Sequence, residues 1–143
     1  MNTVNTLTEK KTEGAAHPIK DGVVQAVKGT GDVFSAILET VSGTVSGALK
    51  GAGKVGASAV EVVSEITRGA IDGAVEVGAD IGHAVKGIAA GVLRGTRETG
   101  EGALTTVSHT ARTVIQHTAK VGGDLSGAAK GVVQGAIHAA KDL

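Results

Sequence analysis

From Ala15 to Ala136 every eleventh residue is apolar: Ala15, Ala26, Ile37, Ala48, Ala59, Ala70, Ile81, Val92, Ala103, Val114, Leu125 and Ala136. Apolar residues make up 41% of the chain, so an unbroken run of this length arises by chance about 2 times in 100,000. Eleven residues close three turns of a helix at about 3.67 residues per turn, which returns each of these side chains to one face. The neighbouring columns agree. The one that starts at Ile19 and passes through Val41, Val63, Val85 and Val107 holds only apolar residues or threonine. The columns of Val33 and Val27, with the weaker column of Val23, Phe34 and Val45, widen the apolar stripe to roughly 130° of the helix circumference.

The opposite face carries His17, Lys28, Glu39, Lys50, Glu61, Asp72, His83 and Arg94 in one column and no apolar residue. A strand reading fails, because a period of two would mix the columns. The frame also runs from Ala15 to Leu143 without an insertion. The expected architecture is therefore all-α: a long amphipathic helix, or a few helices kept in register, with no compact globular core. Residues 15–143 form the repeat and residues 1–14 a polar mobile tail. A continuous helix over this frame would extend about 190 Å. Where it breaks, the glycine clusters at Gly51-Gly53-Gly56, Gly100-Gly102 and Gly122-Gly123 are the expected places.

Composition explains why such a helix needs a partner surface. There is no Trp or Tyr, one Phe, one Met and no Cys, against 23 glycines. A glycine inside a helix costs about 1 kcal/mol relative to alanine, so a single helix of this sequence is expected to be largely unfolded in water and to form on an apolar surface. The spacings Gly43-Gly47-Gly51, Gly87-Gly91-Gly95 and Gly123-Gly127-Gly131-Gly135 also suit close approach of two helices.

Net charge is zero but unevenly spread: residues 1–57 hold six basic and five acidic groups, 58–85 one and five, and 86–143 seven and four. An acidic middle without aromatic stacking groups argues against a nucleic-acid partner. The start of the chain lacks the apolar core of a secretory signal, and no uncharged stretch is long enough to span a bilayer. A cytoplasmic protein peripheral to a membrane or granule is expected.

Motifs for chemistry are weak. Gly51-Ala-Gly53-Lys-Val-Gly56 has dinucleotide-loop spacing but lies inside the helical repeat rather than after a strand. The histidines His17, His83, His109, His117 and His138 show no paired ligand spacing. Glu61 with Glu65, and the series Asp72, Glu76 and Asp80, read as a solvated charge stripe. No enzymatic activity, cofactor, metal or small-molecule substrate is expected.

Lys11-Thr12-Glu13-Gly14 resembles the core of the synuclein repeat, and Gly22-Val-Val-Gln-Ala-Val27 and Gly131-Val-Val-Gln-Gly-Ala136 share its texture. In period the chain is similar to the eleven-residue-repeat amphipathic proteins: synucleins and, more loosely, perilipins and late-embryogenesis-abundant proteins. That resemblance implies disorder in solution and a long helix on lipid. The lysine-rich border of such proteins is missing from residues 58–85.

The function expected from the sequence is structural: an amphipathic helix that coats a membrane surface, lipid droplet or granule. The alternative is a self-assembling bundle, tube or filament scaffold, with the acidic middle and basic ends pairing between staggered copies. Expected partners are a lipid or other apolar surface and further copies of the chain as a homo-oligomer. The apolar interface would comprise Val27, Phe34, Ile37, Leu38, Val41, Leu49, Val63, Ile66, Ile71, Val77, Ile81, Val85, Ile88, Val92, Leu93, Leu104, Val107, Val114, Ile115, Val121, Leu125, Val132 and Ile137.

Overall fold

The computed structural model describes residues 16–52, 56–99 and 103–141, and the regular structure among them is entirely helical. The helices are α1 (Ala16–Thr30), α2 (Val33–Ala52), α3 (Gly56–Glu76), α4 (Ile81–Thr99), α5 (Ala103–Lys120) and α6 (Leu125–Lys141). The expected tail at residues 1–14 lies outside the described residues.

Three turns among the described residues are built alike. Each places a glycine in the left-handed region, Gly31 at φ 76°, Gly78 at φ 71° and Gly122 at φ 76°, where a β-carbon would strain the backbone. At Gly78 and Gly122 the last turn of the helix closes in the same way. The Gly78 and Ala79 N–H groups donate to the carbonyls of Val75 and Ala74, and those of Gly122 and Gly123 to Ala119 and Thr118. An aspartate then opens the next helix. Asp32 accepts from the Ser35 N–H at 3.2 Å and Asp80 from the His83 N–H at 3.0 Å, each satisfying a donor that the first helical turn leaves free.

The helices pack in two rows. The most extensive contacts run between every second helix, α2 with α4, α4 with α6 and then α1 with α3; α3 packs on α5 about as extensively as the consecutive α1 and α2 pack on each other, and consecutive helices join the rows. Within the row of α2, α4 and α6 the helices are parallel. Gly87, Gly91 and Gly95 climb α4 as Phe34, Leu38 and Ser42 climb α2, and Gly131 and Gly135 climb α6 beside Gly82 and Lys86 of α4. Between the rows lies one apolar core drawn from all six helices, including Val23, Ile37, Val41, Ile66, Ile71, Val85, Ile88, Val92, Val114 and Ala128.

All-α is thus correct, and the long helix without a compact core is not. An eleven-residue frame does not require a continuous helix. Helices α4, α5 and α6 begin at Ile81, Ala103 and Leu125, so each helix with its turn spans 22 residues, two periods of the frame, and the phase passes through the turns intact. The expected break at Gly122-Gly123 is present. Those at Gly31–Asp32 and Gly78–Asp80 were not anticipated. For the other two expected breaks, residues 53–55 and 100–102 lie outside the described residues, with α2 ending at Ala52, α3 beginning at Gly56, α4 ending at Thr99 and α5 beginning at Ala103. The apolar surface that a marginal helix needs is supplied by the same chain.

Candidate interaction surface at the ends of a glycine-packed row

The row of α2, α4 and α6 is held by glycines set against backbone. A β-carbon on Gly87, Gly91 or Gly95 would stand 2.9, 2.9 and 2.8 Å from the carbonyl oxygens of Phe34, Leu38 and Ser42. The same arrangement joins α6 to α4: a β-carbon on Gly131 or Gly135 would stand 2.6 Å from the Gly82 oxygen and 2.5 Å from the Lys86 oxygen. In each case the glycine also meets the β-carbon of the residue three positions beyond that carbonyl: Ile37, Val41 and Val45 on α2, Val85 and Ala89 on α4. Backbones meet at this distance only where no side chain intervenes, and the close approach multiplies weak dispersion contacts along the seam. In the other row Gly73 of α3 meets the Lys20 oxygen and the Val23 β-carbon of α1 in the same way.

Sequence explains the two-sided use of each even helix. Val41-x-Gly43, Val45-x-Gly47, Val85-x-Gly87, Ala89-x-Gly91, Ala129-x-Gly131 and Val133-x-Gly135 share one pattern, repeated 44 residues apart along the chain. Two residues turn about 200° around a helix, so the small apolar side chain and the glycine point to opposite sides. On α4 both sides are filled, and Val85, Ala89, Gly87 and Gly91 are all buried.

The end helices each leave one side open. On α2, Gly43 and Gly47 are exposed, and a β-carbon there would meet nothing within 4 Å. On α6, Gly131 and Gly135 are buried against α4, whereas Ala129, Val133, Ile137 and Ala140 face solvent, with Val133 58% and Ile137 52% exposed.

Of the expected apolar interface, Ile37, Leu38, Val41, Leu49, Val63, Ile66, Ile71, Val85, Ile88, Val92, Val114 and Val132 are buried inside the molecule. Val27, Phe34, Val77, Ile81, Leu93, Val107 and Ile115 are partly covered, and the surroundings of Leu104 lie outside the described residues. Among the described members of that set, only Val121, Leu125 and Ile137 are exposed, at 37, 45 and 52%. The sequence reading missed Val133, which belongs to the weak column of Val23, Phe34 and Val45. Glycine and threonine interrupt that column, yet it supplies Val23, Val45 and Ala89 to the glycine contacts.

Several charges are paired within the chain. Lys20 of α1 lies 3.2 Å from Glu76 of α3, His117 of α5 lies 2.7 Å from Asp72 of α3, and Arg94 of α4 lies 3.4 Å from Glu39 of α2. The acidic middle expected to pair between copies therefore has partners at Asp72 and Glu76 in its own molecule. His83 pairs with Asp80 of its own turn at 3.0 Å, and the His138 ring meets Phe34 edge-on at 5.0 Å. A shallow groove of about 270 Å³ beside α5 is lined by Arg68, Thr113, Gln116, His117 and Lys120. Its histidine is already engaged by Asp72.

No helix among the described residues is long and apolar enough to cross a membrane. Comparison with protein-family models, curated proteins and solved structures finds no match to this chain.

Proposed function

We propose that the protein is a non-enzymatic structural module that assembles with copies of itself into a filament or tube-like scaffold. One observation carries this reading: the open apolar face of α6, where Val133 and Ile137 are more than half exposed on a helix whose counterpart α4 buries the same face. A contiguous apolar face on a soluble surface marks a contact site. Here the molecule itself supplies an example of what covers such a face, since α6 covers that of α4.

An apolar surface coat is the second reading. Val121 and Leu125, at the turn before α6 and at its start, are exposed as well. A coat of this kind would use α6 in place of the whole eleven-residue stripe, most of which is turned inward. Light scattering over a range of concentrations tests assembly, with particle mass rising with concentration for the native chain and staying at the monomer for Val133→Asp. A native chain that remains monomeric at high concentration but floats with neutral phospholipid vesicles would favour the coat instead.

A further inference from the structure

Resting on the self-assembly reading, we infer that the surface covering α6 is the glycine face of α2 in a second copy, so that the row continues from one molecule into the next with its helices parallel. Each internal seam joins a glycine side to a small apolar side, and the two sides left over at the ends are one of each kind. The glycine side remains on α2, at Gly43 and Gly47, and the apolar side on α6, at Ala129 and Val133. They are therefore complementary to each other, and neither is complementary to itself.

Register follows from the α4–α6 seam. There Gly131 lies on Val85 and Gly135 on Ala89. Carrying the apolar side forward by one 44-residue repeat and the glycine side back by two places Gly43 of the next molecule on Ala129 and its Gly47 on Val133; the α2–α4 seam, with Gly87 on Ile37 and Gly91 on Val41, gives the register one turn along, with Gly43 on Leu125 and Gly47 on Ala129. A contact between unlike faces does not close as a twofold dimer; it propagates from copy to copy unless its rotation happens to complete a ring.

Two exposed positions test this without disturbing the core. Gly47→Leu fills the α2 face, where a β-carbon meets nothing within 4 Å, and Val133→Asp spoils the α6 face. Each variant alone should stay monomeric by sedimentation velocity, with native helical content by circular dichroism. Each nevertheless retains one intact end. Mixed in equal amounts they should give a species of twice the monomer mass and nothing larger, because the only compatible pair is α6 of the Gly47→Leu chain on α2 of the Val133→Asp chain. Assembly of Gly47→Leu alone, with loss in Val133→Asp, would overturn the α2 assignment while leaving self-assembly through α6 standing. A native chain that never assembles would overturn both. The chain has no cysteine, so Gly47→Cys mixed with Val133→Cys offers an independent check: oxidation should cross-link the two chains to each other faster than either to itself.

Discussion

The carbonyl oxygen of Leu38 stands 2.9 Å from where Gly91 would carry a β-carbon, and the β-carbon of Val41 stands at the same distance. Alanine at this position would gain about 1 kcal/mol in helix propensity and lose more to overpacking, which typically costs about 1–3 kcal/mol. Gly91→Ala should therefore destabilise the fold. Gly43→Ala, the same exchange on the open face of α2, should stabilise it by up to about 1 kcal/mol. Urea unfolding at low protein concentration reads both, and the opposite signs are the prediction.

Two hydroxyls in the core, Thr110 Oγ1 and Thr118 Oγ1, are buried without a hydrogen-bond partner among the described residues. A valine of nearly the same shape removes the unsatisfied group. Thr110→Val should raise stability by about 1 kcal/mol. Thr67, whose hydroxyl donates to the Val63 carbonyl at 2.8 Å, should show no such gain on the same exchange. The comparison of their urea midpoints distinguishes a freed cost from a general preference for valine.

The aspartates that open α2 and α4 make stability depend on acid. The Ser35 N–H and then the Ser35 hydroxyl hold the Asp32 carboxyl below its ordinary 3.8, and the His83 N–H does the same for Asp80. A carboxyl lowered on folding contributes stability that is full above the unfolded value and is lost as pH falls through the folded one. Asparagine caps a helix about as well but does not titrate. The double variant Asp32→Asn, Asp80→Asn should keep its thermal midpoint near pH 7 and lose less of it than the native chain between about pH 5 and pH 3.

Helix and its buried side were readable from the columns because burial imposes one period on many residues: Ile37, Ala70, Val92 and Val114 of the leading column are all buried. The turn at Gly122-Gly123 was readable from its paired glycines, but those at Gly31–Asp32 and Gly78–Asp80 were not, and the reason is geometric. A glycine followed by an aspartate, as at Gly31–Asp32, looks like the polar face of a helix when the frame continues on both sides. With α4, α5 and α6 starting 22 residues apart, the frame does continue. The interaction surface was half visible. The glycine spacing on α2 and α4 is plain in the sequence, but whether a glycine face is filled, as at Gly91, or open, as at Gly47, depends on which helix ends the row.

The most direct measurement is small-angle X-ray scattering of the native chain at low concentration. Helices folded into two rows around one core predict a radius of gyration of about 15 Å, as for other folded chains of 143 residues. An eleven-residue stripe laid out as one continuous helix would be about 190 Å long and give about 55 Å. A value near the first supports the packed row on which every inference above depends; a value near the second contradicts it.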